Sequence, residues 1–115
     1  MREIQFYRLP SGRRPVEEFI DSLSPRLAQK LTWVLGLIEE LELVPIQYLK
    51  KLEGSSDLWE VRASVGRENV RVICFFDGSN LVVLTHGIMK KTERLPKRDI
   101  DLAEKRKADY LRRRR

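Results

Sequence analysis

The chain has 115 residues, a formal net charge of +6 from 23 basic and 17 acidic residues, and a single cysteine. This length predicts one domain spanning residues 1–115, and the lone Cys74, interpreted as a small core residue, excludes an internal disulfide and a cysteine metal cluster. No apolar run approaches the roughly 20 residues that cross a bilayer, and the amino terminus lacks a secretory signal. We therefore expect a cytoplasmic protein without a membrane partner. The positive charge has two interpretations of similar weight: a polyanionic partner, or an ordinary solvated surface.

The first part of the chain, residues 1–45, is predicted to form one strand and two helices. Glu3–Arg8 has the pattern of a short strand. Pro15 suits the first turn of a helix, and apolar residues follow it at helical spacing. Ser24-Pro25 predicts the start of a second helix of about five turns, because serine caps free amide groups and proline at the next position loses no hydrogen bond. Pro45 ends this helix.

The central part is predicted to be a connecting loop followed by a three-stranded antiparallel meander. The loop is Ile46–Ser56, and the strands lie near Asp57–Ser64, Glu68–Phe76 and Leu81–Lys90. Asp77–Asn80 is a hairpin loop, since glycine and asparagine tolerate the positive φ that such turns require. Period-2 alternation gives the sheet one almost entirely apolar face, and a second face that is apolar at one end and basic at the other.

The last part is predicted to be a helix that begins at Pro96. Its thin apolar stripe is expected to pack against a patch of Ile73, Phe75 and Leu84 on the second sheet face. Residues 112–115 are expected to be a frayed basic tail. The predicted order is β-α-α-β-β-β-α, an α+β fold in which helices cover an antiparallel meander.

The basic end of the second face predicts a row of cations across the sheet. If the first hairpin is symmetric about residues 66 and 67, Arg62 lies opposite Arg71. If residues 77–80 form a four-residue loop, Arg71 lies opposite His86. Directly opposed like charges destabilise a sheet, so such a row favours an anionic partner. A bulge or a one-residue slip would remove the row.

The residue types available favour chemistry on a phosphodiester. The chain has no phosphate-binding loop, no dinucleotide-binding glycine pattern and no metal-ligand cluster, so we expect neither a cofactor nor a metal. Arginine and lysine can stabilise the extra charge of a phosphoryl transition state, and in RNA the 2′-hydroxyl itself can attack. His86 is a candidate general base, because an unperturbed histidine titrates near neutrality. Glu60 is either a second candidate base or a counter-ion for Arg62.

Several segments resemble the RelE/ParE superfamily of bacterial toxins, in particular its HigB-like, phage-associated branch: LWEVR, NVRVICFF, DGSN and LTHGIMKKTERLPKRDI. The resemblance covers nearly the whole chain, and HGIMKKTERLPKRDI is its most specific part. It implies a RelE-like fold and one half of a type II toxin–antitoxin pair, with a helix-turn-helix antitoxin as partner. RelE-like and HigB-like members cleave mRNA in the ribosomal A site without a metal, whereas ParE-like members poison DNA gyrase.

The resemblance also implies site residues. Arg71 matches the arginine that such ribonucleases use at the phosphate, Arg62 matches a basic position on the preceding strand, and Lys90 matches a basic residue after the last strand. His86 belongs to the H-G pair, and its role as base is inferred from its chemistry. Glu60 stands where RelE-type enzymes often have a basic residue, and the expected C-terminal site tyrosine is missing. Further residues expected to contact RNA are Lys50, Lys51, Arg67, Lys91, Arg94, Lys97 and Arg98.

The predicted function is therefore a ribosome-dependent mRNA endonuclease toxin whose partners are mRNA on the ribosome and an antitoxin. A gyrase poison on the same fold and a basic RNA-binding module without catalysis are the alternatives. A nuclease would lose cleavage when Arg71 is removed. A mere binder would weaken by a similar amount for each lysine or arginine removed.

Overall fold

The computed structural model of the protein describes residues 1–55 and 57–114. It confirms the α+β prediction and adds one short strand. In chain order the elements are β1 (Glu3–Phe6), α1 (Pro15–Ser22), α2 (Pro25–Glu40), β2 (Leu49–Lys51), β3 (Leu58–Val65), β4 (Glu68–Asp77), β5 (Leu81–Met89) and α3 (Lys97–Arg113).

The strands form a single five-stranded sheet in the order β1-β5-β4-β3-β2. The meander β3-β4-β5 is antiparallel as predicted, and β1 joins its far edge parallel to β5. The segment containing β2 was predicted as a loop, and this is wrong for Leu49–Lys51. Three residues are too few to show a period, and this strand forms because its backbone pairs with β3, which places Leu49 opposite Val61 in the core.

Helices α1 and α2 cover one face of the sheet. The hydroxyl oxygen of Ser24 accepts a hydrogen bond from the Leu27 amide at 3.3 Å, so the predicted cap of α2 is present. The Phe19 ring of α1 lies against Gly87 of β5, where any β-carbon would overlap the ring. Glycine in the H-G pair therefore allows close packing of helix on strand.

The hairpin between β4 and β5 is shorter than predicted. Asp77 pairs with Leu81, so its loop has three residues rather than four. This reverses the faces of the first residues of β5. Leu84 therefore packs in the core beneath α1 and α2, and Val83 takes its predicted place beside Phe75 in the patch beneath α3.

Helix α3 covers the second face through few apolar contacts and several polar ones. Ala103 is its fully buried residue, while the Tyr7 hydroxyl donates to Asp109 at 2.6 Å. Arg112 and Arg113 both form ion pairs with Asp109 at 2.8 Å. These two residues form the last turn of α3, and the fraying of residues 112–115 stays a prediction; Arg115 lies outside the described residues. Across the described ranges no helix is long and apolar enough to cross a membrane.

Candidate nucleic-acid interface

Two arginines face each other across adjacent strands, as predicted. Arg62 of β3 is the direct partner of Arg71 of β4. Glu60 stands two residues before Arg62, and its Oε1 atom lies 3.3 Å from the Nε atom of each arginine. Glu60 and Arg71 are each only 5% exposed. The shared carboxylate offsets the like-charge repulsion that the direct pairing would otherwise create.

Glu60 contacts the two arginines through ion pairs rather than through well-directed hydrogen bonds. Neither Nε–H group forms a hydrogen bond within residues 1–55 and 57–114, although both nitrogens are buried close to Glu60. The Nη1 atom of Arg71 donates to the Val70 carbonyl at 2.9 Å, and that of Arg62 reaches the Ile46 carbonyl at 3.5 Å. Burial, and then the positive charge of Arg62, lower the pKa of Arg71. The cluster thus concentrates positive charge, and Arg62, whose side chain is 28% exposed, is its more accessible arginine.

A groove of about 760 Å³ opens beside the cluster, between residues 50–54 and residues 93–97. Glu60, Arg62 and Lys90 also line it. A second depression of about 450 Å³ shares Arg62, Lys90 and Glu93 with the first, while Arg71 lines this one. We call the first the larger lobe and the second the smaller lobe. Together they form one basic surface across β3, β4 and the connection from β5 to α3.

Lys90 occupies the point where the two lobes meet. Its backbone amide donates to the Asn69 carbonyl at 2.8 Å, which fixes the chain just after β5. Its side chain is half-buried, and burial, followed by the charge of Arg71, lowers its pKa. A lysine with a lowered pKa is a better proton donor at neutral pH than an exposed one.

The predicted place of His86 in the cationic row is wrong. Arg71 lies opposite Ile88, and His86 lies opposite Ile73. The three-residue hairpin loop and an irregularity in the register between Ile73 and Cys74 together shift the pairing. His86 is therefore one row away from the arginine pair and lines neither lobe.

His86 instead joins β5 to the first turn of α3. Its Nε2 atom lies 3.2 Å from Asp99 Oδ1, and its Nδ1 atom lies 3.2 Å from the Thr85 hydroxyl. The residue is 7% exposed. Burial lowers its pKa, and the hydrogen bond to Asp99 opposes this effect. These contacts favour a structural role for His86.

The other predicted contact residues divide between the groove and other surfaces. Arg67 lies in the turn between β3 and β4, and Arg98 pairs loosely with Asp99 at 3.9 Å; neither lines a lobe. Two of the lysines in the groove have acidic partners, Asp57 for Lys51 and Asp101 for Lys97. Of the predicted contact residues, Lys50, Lys51, Arg94 and Lys97 line the larger lobe and Lys91 lines the smaller lobe.

Sequence reasoning missed Asn69, which lines the smaller lobe. A signal was available, because Asn69 precedes Arg71 by two residues and period 2 places both on one face. The partners of His86 carried no such signal. Asp99 lies on a different element, α3, and the position of Thr85 depends on the shifted register of β5. Among the described residues no group of three His, Cys, Asp or Glu side chains could hold a metal ion.

A comparison with protein families identifies the wider group. The family model described as phage derived protein Gp49-like (DUF891) matches residues 18–108, more than half of the chain. The chain belongs to this Gp49-like family. It is a RelE-like toxin family related to the toxins of toxin–antitoxin systems, and membership suggests an antitoxin as partner. No curated protein sequence matches the chain significantly.

The Gp49-like region contains all the residues of the groove. It begins within α1 and ends within α3, so it includes β2 to β5 and the connection that carries Lys90 to Lys97. Strand β1 lies before the matched region. Within the matched region this chain thus presents two opposed arginines, a lysine and a basic groove, and such cations are suited to binding a phosphate group.

Proposed function

We propose that this Gp49-like chain is a type II toxin of the HigB-like branch that cleaves mRNA on the ribosome. The observation that carries the proposal is the pairing of Arg62 with Arg71 beside Lys90 in a basic groove. Arginines hold phosphate oxygens through paired hydrogen bonds, and positive charge fixed in place stabilises the phosphoryl transition state. A helix-turn-helix antitoxin is the expected partner.

The proposed reaction needs no metal and no protein nucleophile. The RNA 2′-hydroxyl loses its proton and attacks the adjacent phosphorus, the bond from phosphorus to the 5′-oxygen breaks, and a 2′,3′-cyclic phosphate and a 5′-hydroxyl result. Arg62 and Arg71 hold the non-bridging oxygens as charge develops on them. Lys90, whose pKa is lowered by burial and by Arg71, donates the proton that the leaving 5′-oxygen takes up.

In this mechanism the chain supplies no base for the 2′-hydroxyl proton, and this explains the proposed dependence on the ribosome. His86 lies outside the groove, and Glu60 is buried against both arginines as their counter-ion. We propose that the ribosome–mRNA complex orients the 2′-hydroxyl and that its proton leaves to a ribosomal group or to solvent. The chain then contributes phosphate binding, charge stabilisation and the acid.

Primer-extension mapping of a short mRNA with purified protein tests this function. The lanes compare reactions with and without translating ribosomes, using the wild type, Arg71→Ala and Arg67→Ala. Codon-phased cuts that need ribosomes, disappear with Arg71→Ala and persist with Arg67→Ala are expected. Intact mRNA in every lane, with the protein shown to be folded, would contradict the proposal.

A gyrase poison is the second candidate, and the position of His86 favours it. A poison acts by binding and needs no general base, and the only histidine of the chain lies outside both lobes. In that case the protein would inhibit supercoiling and leave RNA intact. A third candidate, an RNA-binding module without catalysis, would leave the mRNA intact in this assay and would bind RNA in a separate binding titration.

A further inference from the structure

The Glu60 carboxylate lies inside the cationic cluster that we assign to the scissile phosphate. Its Oε1 atom contacts the Nε atoms of Arg62 and Arg71 at 3.3 Å, and the residue is 95% buried, being only 5% exposed. With Lys90 the cluster holds three positive charges and one negative charge. An anion that binds here is therefore attracted by the three cations and repelled by Glu60, all at short range.

The two arginines differ in how far such a ligand can reach them. Both Nε–H groups are buried without a hydrogen bond among the described residues, whereas the side chain of Arg62 is 28% exposed and that of Arg71 only 6%. A buried N–H group without an acceptor is unfavourable. Phosphate oxygens are strong acceptors, and a phosphate at this cluster reaches the pair through the exposed part of the Arg62 side chain.

We propose that Glu60 biases this cluster toward an internal phosphodiester and against a terminal phosphate. The inference rests on the proposed function and specifies the class of phosphate that the groove accepts. A phosphodiester carries one negative charge, whereas a terminal phosphate carries about 1.5 to 2 near neutral pH. Glu60 repels this additional negative charge of a terminal phosphate, which a diester does not carry.

The size of this effect follows from Coulomb's law. Two like charges separated by about 6 Å, at an effective dielectric constant of about 20, repel by an amount that corresponds to about 100-fold in an equilibrium constant. Screening by solvent in the open groove reduces this, so about tenfold is expected. An endonuclease benefits from such a bias, because internal phosphates of an mRNA would otherwise compete with chain ends for the same cations.

Two small probes isolate the charge of the phosphate. Adenosine 5′-monophosphate and its methyl ester share a base and a sugar, and they differ by about one negative charge at about pH 7.5. Their affinities are measured by NMR titration of the full chain. The comparison uses the wild type, Glu60→Gln and Glu53→Gln. Glu53 lines the same groove and is exposed, so its substitution changes the net charge equally without touching the arginine pair.

The readout is the affinity of the monophosphate divided by that of the methyl ester. Glu60→Gln is expected to raise this ratio by about tenfold, and Glu53→Gln by less than about twofold. A folded Glu60→Gln protein with the wild-type ratio would overturn the inference. An equal rise in both variants would overturn it as well, because it would trace the effect to the general field of the groove.

If Glu60→Gln does not fold because the arginines repel each other, Arg62→Gln provides a second background. The double variant Glu60→Gln/Arg62→Gln lacks that repulsion, and its ratio should exceed that of Arg62→Gln by about tenfold. Arg71→Ala separates the two proposals. If it binds both probes as the wild type does, the phosphate site and the proposed function fail together. If it loses both probes while Glu60→Gln leaves the ratio unchanged, only the present inference fails.

Discussion

Arg62 and Arg71 are direct cross-strand partners, and their guanidinium groups share the carboxylate of Glu60. We expect Arg71→Lys to lower mRNA cleavage by about 100-fold, because lysine keeps the charge but loses the planar pair of donors. Arg67→Lys, in the exposed turn of the same hairpin, should cleave like the wild type. The measurement is the cleavage rate in a translating mixture, with circular dichroism to verify folding. Cleavage by Arg71→Lys within a few-fold of the wild type would remove Arg71 from the proposed mechanism.

The cations of the groove should contribute to RNA affinity through the phosphates. Arg94→Ala is expected to lower the slope of log affinity against log salt by about 0.7, the value for one contact to a single strand. Arg98→Ala should leave the slope unchanged, because Arg98 lies outside both lobes. The probe is a 2′-O-methyl oligoribonucleotide, which cannot be cleaved. Equal changes in the two variants would show that the whole basic surface, rather than the groove, binds RNA.

The stability of the fold should fall on mild acidification because of His86. Burial lowers the pKa of His86, so below about pH 6.5 the unfolded chain binds this proton more readily than the folded protein does. Each unit of difference between the two pKa values corresponds to about 1.4 kcal/mol. His86→Gln removes the contribution, and His86 is the only histidine of the chain.

Urea unfolding at about pH 7.5 and about pH 5.5 measures this dependence. The wild type should lose more stability between the two values than His86→Gln, and the difference cancels the titration of carboxylates common to both proteins. If the wild type instead gains stability relative to the variant, the hydrogen bond to Asp99 outweighs burial.

Glycines on α2 and β5 should respond in opposite ways to alanine. Gly87→Ala places a methyl group against the Phe19 ring and should destabilise the fold by about 1–3 kcal/mol. Gly36 lies within α2 with open space beside it, so Gly36→Ala should stabilise by about 0.5–1 kcal/mol. Urea unfolding of both variants tests the pair, and Phe19→Leu should recover part of the loss in Gly87→Ala. A Gly87→Ala protein as stable as the wild type would show that α1 can move away.

Part of the site followed from the sequence, because one local turn controls it. The β3–β4 hairpin turns at Gly66, and the regular alternation on either side places Arg62 opposite Arg71. The position of His86 did not follow. Its register depends on a hairpin loop one residue shorter than expected and on an irregularity between Ile73 and Cys74. Neither feature can be recognised from the spacing of apolar residues in the sequence.

The sequence by itself determined the α+β class, the helix starts at Pro15 and at Ser24-Pro25, and the meander. It also predicted the pairing of Arg62 with Arg71 on the condition that the first hairpin is symmetric. Each of these features depends on residues within one element or in neighbouring elements of the chain. Only the tertiary structure decided the rest. Strand β2 exists because β3 offers it backbone partners, and His86 pairs with Asp99 because α3 packs across β5. The role of Glu60 as the shared partner of two arginines likewise required two strands to be placed side by side. These features depend on contacts between segments distant in the chain, which residue patterns alone do not specify.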